Sequence, residues 1–366
     1  MIIGYDAKRL FCNDSGLGTY ARTFVKNLAE QHPEFNIHLF TPCTRRREET
    51  EFFFKAPNIK IHHAQFFGAF WRTFLIPILA QRYRLDVFHG LSNELPIFSF
   101  LSKTKKILTV HDVIFRSHAE GYTFFDRMIY NLKLKWALRS ANEIICISHH
   151  TRAELEKYYN PRNTKISVIH PSINKLYAQP DTWLKSSEFQ SLYNLRNGFW
   201  LYVGSLHKRK NLKVLFKALT LIPPHRQKKL VIVTKDKISK IRVIPNYFDS
   251  SDRIRIENDL SDRVLSLFYK NCTALIYPSL AEGFGLPILE AIAHGATVVC
   301  ADNPAHREAG GESVYYFKPN NADELANILS KLSYQDKKSS QLAFSHVKLF
   351  DAKRTNDQLL AVYQKY

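Results

Sequence analysis

Short apolar runs rich in Val, Ile and Phe alternate along this chain with stretches of helical spacing, and the alternation runs through twice. The first series places strand-like runs at residues 2–5, 37–40, 59–62, 86–88, 107–110, 143–147 and 166–169, with helical patterns near 18–31, 70–83, 124–140 and 149–158. Runs this short, with little polar alternation, suit strands covered by helices on both faces. Parallel neighbours need a crossover connection and the usual crossover is a helix, so the alternation predicts parallel sheets. After Pro171 the pattern restarts, with runs at 199–203, 229–234, 253–257, 273–277, 297–300 and 314–317. Helical patterns near 211–221, 261–271, 285–294 and 304–309, with a helix or loop near 236–247, separate them, and a last one begins at Ala322.

A chain of 366 residues exceeds the size at which one hydrophobic core keeps growing. The expected architecture is α/β, with two Rossmann-like domains joined near residues 170–195. Ligands of such sheets bind beyond the carboxyl ends of the strands, where the strand order reverses. The formal charge of +19 is spread along the chain: residues 1–169 hold 24 Lys and Arg against 15 Asp and Glu, which leaves 28 against 18 for the rest. Charge of this kind fits nucleic acid, an anionic bilayer surface or phosphate-bearing small molecules. Zinc-finger spacing, a helix-turn-helix signature and RNA-binding aromatic motifs are all missing from the sequence, so nucleic acid is not an expected partner. Cys12, Cys43, Cys146, Cys272 and Cys300 are widely spaced without a Cys-x-x-Cys, and read as buried thiols of a reducing compartment. The chain opens on a strand-like run, and its most apolar stretch, 66–80, is interrupted by Arg72 and too short to span a bilayer. A cytoplasmic protein, peripheral at the inner membrane face, is the expectation.

The sharpest motif lies at 278–311. The run 273–277 leads into a turn containing Gly283 and Gly285, then into 286–294, apolar at helical spacing with Pro287 in the first turn. Strand, glycine-containing loop and helix together aim the helix's first N–H groups and its positive dipole end beyond the strand edge, a setting for phosphate. Glu282 lies on the loop and Glu290 about two turns further on, too far apart for a close acid/base pair. They are placed to grip hydroxyls at two parts of one long ligand, with loop amides on a diphosphate between.

The run Glu282-Gly-Phe-Gly-Leu-Pro-Ile-Leu-Glu290 resembles the signature of the retaining, nucleotide-sugar-dependent glycosyltransferases of family 4 (glycosyl transferases group 1). The resemblance implies the GT-B fold, two Rossmann-like domains with parallel sheets facing a central cleft. An acceptor-side domain would occupy 1–170, a nucleotide-sugar-binding domain 171–350, and a C-terminal helix at 351–366 would cross back to the first. It also implies that Glu282 contacts the donor sugar, Glu290 the donor ribose, and the backbone of Gly283, Phe284, Gly285 and Leu286 the sugar or diphosphate.

Three further motifs gain meaning from that resemblance. Asn13-Asp14-Ser15-Gly16-Leu17-Gly18 follows the first run, and on its residues alone is a weak signal, lacking the third glycine of a dinucleotide fingerprint and the Lys of a P-loop. It is similar to the family's first-domain glycine loop, which makes Gly16 and Gly18 donor-binding residues. His111-Asp112 ends the run 107–110, where an isolated pair would read as a strand-end His held by Asp; the family pattern makes His111 a contact of the transferring sugar. Gly204-Ser205-Leu206-His207-Lys208-Arg209-Lys210-Asn211 sets three cations in a row, which repel unless solvated or given an anion. In the family, Lys210 and Arg209 would neutralise the leaving diphosphate beside Gly204 and Ser205. The adjacent His149 and His150 do not share a helix face, so no metal is expected.

The sequence departs from the family at Ser205, where many members carry Arg, at Lys235-Asp236, and at 258–262 near the expected nucleobase site. Asp302-Asn303-Pro304-Ala305-His306-Arg307-Glu308 resembles bacterial mannosyltransferases and favours GDP-mannose as the nucleotide-sugar co-substrate, with no metal or other cofactor. The expected acceptor is a glycan or a lipid-diphosphate-linked oligosaccharide in cell-surface polysaccharide synthesis, with the 66–80 stretch touching an anionic membrane. A soluble acceptor, a UDP-sugar donor, a sugar epimerase of the same fold and a basic nucleic-acid-binding protein are the alternatives.

Overall fold

In the computed structural model the described residues are 1–13, 16–63, 71–97, 102–161, 164–173, 185–236, 253–258, 260–332 and 340–365. Asp14 and Ser15 of the first glycine motif, residues 66–70, most of the helix or loop expected at 236–247, and Asp259 lie outside them. The chain divides into two compact units, Met1–Ser172 with Phe350–Tyr366, and Ile173–Leu349.

In the first unit β1 (Ile2–Asp6), β2 (Asn36–Thr41), β3 (Ile59–His63), β4 (Val87–Gly90), β5 (Lys105–Val110), β6 (Glu143–Cys146) and β7 (Lys165–Val168) form a parallel sheet in the order β3-β2-β1-β4-β5-β6-β7. In the second, β8 (Phe199–Val203), β9 (Lys229–Thr234), β10 (Ile254–Asn258), β11 (Ala274–Tyr277), β12 (Thr297–Ala301) and β13 (Tyr315–Phe317) repeat it as β10-β9-β8-β11-β12-β13. In each sheet the order reverses beside the first strand, between β1 and β4 and between β8 and β11, and the carboxyl ends of those strands frame the natural ligand position. Phe88, Leu108 and Ile144 of one sheet pack on Ile76, Leu134 and Ala137 of its helices. Trp200, Ile232 and Val299 pack on Leu215 and Leu325 in the other.

A short helix, Lys8–Cys12, which sequence periodicity did not indicate, follows β1, and Gly16–Gln31 comes next. Gly16 and Gly18 therefore sit in a first helical turn and not on an open loop. A Cβ on Gly18 would stand 1.9 Å from the Asn13 carbonyl oxygen, whereas one on Gly16 would meet open space. Cys12 and Cys43 form a disulfide with their Cα atoms 6.1 Å apart, so the reading as five thiols is corrected to three, Cys146, Cys272 and Cys300, all buried. Folding brings together a helix end and the residues after β2 across 31 positions, which spacing alone conceals.

From Trp71 the apolar stretch forms a π-helical turn, Trp71–Leu75, and a helix, Ile76–Arg82, with Trp71, Ile76 and Ala80 in the core and Phe74 and Ile78 exposed. Among the described residues no helix is long and apolar enough to cross a membrane.

The helix Ala352–Tyr363 closes the first unit. Its Tyr363 hydroxyl lies 3.0 Å from the Tyr5 hydroxyl on β1 and 2.6 Å from His89 Nδ1 on β4, and all three side chains are fully buried. Burial pushes the His89 imidazole down to about 3, so it is neutral and one ring nitrogen accepts. Tyr363→Phe should leave buried polar groups on Tyr5 and His89 without a partner, costing about 1–3 kcal/mol. Denaturant unfolding followed by circular dichroism measures that loss.

Candidate active site

The sheet order of the second unit sets the loop after β8 beside the loop after β11, and the backbone ties them together: Leu280 N–H donates to the Arg209 carbonyl at 2.8 Å. Gly204 opens the first loop at φ +154°, and its missing Cβ leaves room for the Tyr202 hydroxyl and the Lys210 stem. A 3-10 turn, Lys208–Lys210, then carries the three cations, and Asn211 in the left-handed region starts the helix Leu212–Leu221. The second loop ends at Gly285, φ +115°, which caps the helix Leu286–Ala293 in a conformation that side chains disfavour.

These turns deliver one cluster, with Lys210 buried, Glu282 nearly so and Arg209 half-buried. Glu282 Oε1 lies 2.6 Å from Lys210 Nζ and 2.8 Å from Arg209 Nη1, and it accepts from the Ser279 hydroxyl. Lys210 Nζ also donates to the Tyr277 hydroxyl at 2.8 Å, and Arg209 to the Ala281 carbonyl at 2.8 Å. Burial acts to raise the Glu282 carboxyl, but Lys210 and Arg209 together outweigh it and hold the group far below the usual carboxylate range. Burial lowers Lys210, with Arg209 acting the same way, while Glu282 opposes both. Lys210 and Glu282 form a charged pair, because each ion has its partner at hydrogen-bond distance. Lys210, Arg209 and Glu282 are thus brought into contact. Ser205 itself offers its carbonyl to the Tyr202 hydroxyl, and Leu206 N–H donates to Asp236 Oδ2 at 2.6 Å.

Glu290 is held apart from that cluster. It is buried on the helix Leu286–Ala293 and accepts from the Tyr269 hydroxyl at 2.8 Å. Desolvation raises its carboxyl to about 7, with the Asp262 charge adding to the shift and the Tyr269 hydrogen bond opposing it. Gly283, Phe284 and Gly285 are buried and Leu286 is half-buried at the same helix start. The 302–308 segment braces this side: Asn303 caps the helix Pro304–Gly310 and donates to the Ser279 carbonyl at 3.2 Å, while the buried His306 ring lies 5.2 Å from Tyr277.

His111, Gly16 and Gly18 belong to the first unit. His111 directly follows β5, buried, with Nε2 2.7 Å from the Leu91 carbonyl and its ring edge against Tyr20. A carbonyl only accepts, so Nε2 carries the proton and Nδ1 is an acceptor. Burial lowers the imidazole to about 4. Tyr277, Ser279, Tyr269 and Asp236 are site residues that motif reading missed; the one signal available was their place at or just beyond strand ends, or on a helix bordering the loop.

The family model "Glycosyl transferases group 1" matches residues 185–344, and "Glycosyltransferase Family 4" matches residues 15–175. The chain belongs to this glycosyltransferase family. The transferase is 26% identical over 340 residues to the O-antigen chain mannosyltransferase B of Escherichia coli, a match covering 87% of each chain. It is 24% identical over 225 residues to the O-antigen chain mannosyltransferase RfbU of Salmonella typhimurium, covering 62% of this chain and 60% of that one. Its fold is shared with sucrose-phosphate synthase of Thermosynechococcus elongatus (TM-score 0.79, 18% identity, 100% and 98% of the chains). It is also shared with Anabaena HepE in complex with UDP and glucose (TM-score 0.77, 16% identity, 100% of both). The transferase therefore has the GT-B fold.

The two carboxylates give the transferase opposite responses to pH. Folding raises Glu290 from 4.5 to about 7, so between those values the native state keeps a proton that the unfolded chain has released, and stability falls as pH rises through that window. The drop should amount to roughly 3 kcal/mol at the upper end, and Glu290→Gln should flatten it. Folding lowers Glu282, so its contribution is present at neutral pH and is lost as pH falls through and below the ordinary carboxylate range. Urea midpoints measured from about pH 2 to 8 test both signs.

Proposed function

We propose that this glycosyltransferase moves a mannosyl unit from GDP-mannose to a growing glycan on a lipid-diphosphate carrier, with retention of anomeric configuration. The observation that carries the reading is the buried contact of Lys210 and Arg209 with Glu282 at the carboxyl edge of the second sheet. A diphosphate arriving beside the two cations would share them with Glu282 and release carboxylate capacity for the sugar's hydroxyls. Glu290 is suited to a ribose diol, as a buried acceptor steered by Tyr269. The likeness to mannosyltransferases of O-antigen chains supports the sugar and the acceptor class.

In the proposed reaction the bond from the anomeric carbon to the diphosphate breaks, and Lys210 and Arg209 stabilise the charge gathering on the leaving oxygen. The acceptor hydroxyl attacks on the face the diphosphate leaves. A phosphate oxygen takes the hydroxyl proton, so no protein base is required. Glu282 would orient sugar hydroxyls, and on the first unit the neutral His111 offers its acceptor nitrogen to a hydroxyl. Preorganised groups of this kind are each worth about 3–4 kcal/mol of barrier.

Lys210→Ala and Glu282→Gln should each lower turnover by about two to three orders of magnitude in a folded protein, and near-wild-type rates from either would overturn the assignment. For the donor, a thermal-shift panel of GDP, UDP, ADP, dTDP and their sugar conjugates should single out GDP and GDP-mannose, with about 2.7 kcal/mol of added stability at a hundredfold excess over Kd. A shift with UDP and UDP-glucose instead would assign the base to uracil, the nucleotide held by Anabaena HepE.

A further inference from the structure

The helix Phe124–Ser140 crosses over from β5 to β6 and is apolar on two faces. Leu134, Ala137 and Leu138 are buried, whereas Phe124 is 72% exposed, Phe125 69% and Leu132 60%, and Met128, Ile129 and Trp136 are exposed as well. At about 100° per residue those six exposed side chains fall within an arc of about 140°, opposite the buried three; Tyr130, 40% exposed, lies on the side of the buried three, its ring against Phe115 and Tyr122. Apolar side chains so grouped on a surface mark something that covers them.

The charges on the same helix say what. Arg127, Lys133, Lys135 and Arg139 stand against one acid, Asp126, a net of +3. Asp126 sits in the first turn, where its carboxylate accepts from the Thr123 hydroxyl at 2.7 Å. Lys135 and Arg139 lie exposed within the apolar arc, Lys133 flanks it with its side chain 51% exposed, and Arg127 is half-buried on the opposite side. Lys133 also approaches Glu94 at 3.7 Å, next to the turn where Ile97 N–H donates to the Thr73 carbonyl and Phe74, Ile78 and Ile97 are exposed. A second copy of the chain docked by two-fold symmetry would place +3 on +3.

We propose that this helix is a membrane-docking surface that lies in the plane of an anionic bilayer. The aromatic and aliphatic arc enters the boundary between headgroups and acyl chains, while the lysine and arginine stems run along it and bring their charges to lipid phosphates. Its N-terminal end, with Phe124 and Phe125, lies at the carboxyl edge of the sheet, because the connection from β5 begins there at His111. A lipid-borne acceptor would then present its headgroup along the edge that carries His111. Only this last step rests on the proposed function; docking does not.

The test is flotation of the whole protein with vesicles of phosphatidylcholine containing about 30% phosphatidylglycerol, against phosphatidylcholine alone. Wild type should float with the anionic vesicles, and about tenfold less with neutral ones or at high salt. F124S/F125S and K135E/R139E, both confined to exposed positions, should each reduce flotation by about tenfold or more. Wild type that stays unbound, flotation insensitive to anionic lipid, or variants that float like wild type would each overturn the proposal. So would a concentration-dependent dimer abolished by F124S/F125S in a protein that ignores vesicles, which would assign the face to a second copy. Nucleotide thermal shifts run on the same samples separate the two readings. A protein that floats as described but responds to no nucleotide would sink the donor assignment and leave the docking helix standing.

Discussion

A carboxylate and a cation largely withdrawn from water, Glu282 with Lys210, and a half-buried second cation, Arg209, are the constraint to which the second unit is fitted. Each buried ion forfeits several kcal/mol of hydration, and a pair repays this only when its geometry and remaining hydrogen bonds are good. Here Ser279 and Tyr277 complete the cluster, Leu280 and Arg209 lock the two loops together, and Asn303 and His306 brace the second loop from behind. An apolar cluster of the same volume would stabilise the fold as well or better, so the expense makes physical sense as preorganisation for charge that develops during reaction. Under the proposed function, such a cluster needs no rearrangement of solvent when a diphosphate departs.

The two glutamates of one motif are driven in opposite directions by their surroundings. Glu282 is buried beside two cations and is held ionised, whereas Glu290 is buried beside a tyrosine and close enough to Asp262 to feel its charge, and is held near neutrality. Eight residues of sequence separate them, and a helix start comes between. Divergent environments around like groups are the usual way in which one site assigns distinct tasks to identical chemistry.

The strands were legible because buried parallel strands must be short, branched and apolar, and helices must intervene. Glu282, Lys210 and Gly285 were legible because a loop that departs from ordinary backbone and charge rules leaves a mark in the sequence; the left-handed φ of Gly285 is one such mark. Tyr277 and Tyr269 were not, since an aromatic residue at a strand end or on an apolar helix face reads as core until its hydroxyl is seen to meet Lys210 or Glu290. The helix Lys8–Cys12 is five residues long, too short for periodicity to register, and the Cys12–Cys43 bond depends on the path the chain takes around it. The helix Phe124–Ser140 was found by its spacing, but with apolar side chains on both faces its pattern could not say which one meets solvent.

Net charge carried little information by itself. Both parts of the chain are about equally basic, +9 for residues 1–169 and +10 for the remainder by the counts above, yet the cations are put to different uses. In the second unit Lys210 is buried against a carboxylate at the reversal point of the sheet, where a low dielectric magnifies its field. In the first unit Lys133, Lys135 and Arg139 of the helix Phe124–Ser140 stay in water around exposed aromatics, while His111, just after β5, is kept neutral by burial. A cation in a dry pocket is specific for one anion at one distance. Cations spread around an apolar surface attract any anionic plane, and it is the burial of the neighbouring groups, not the count of lysines and arginines, that separates the two.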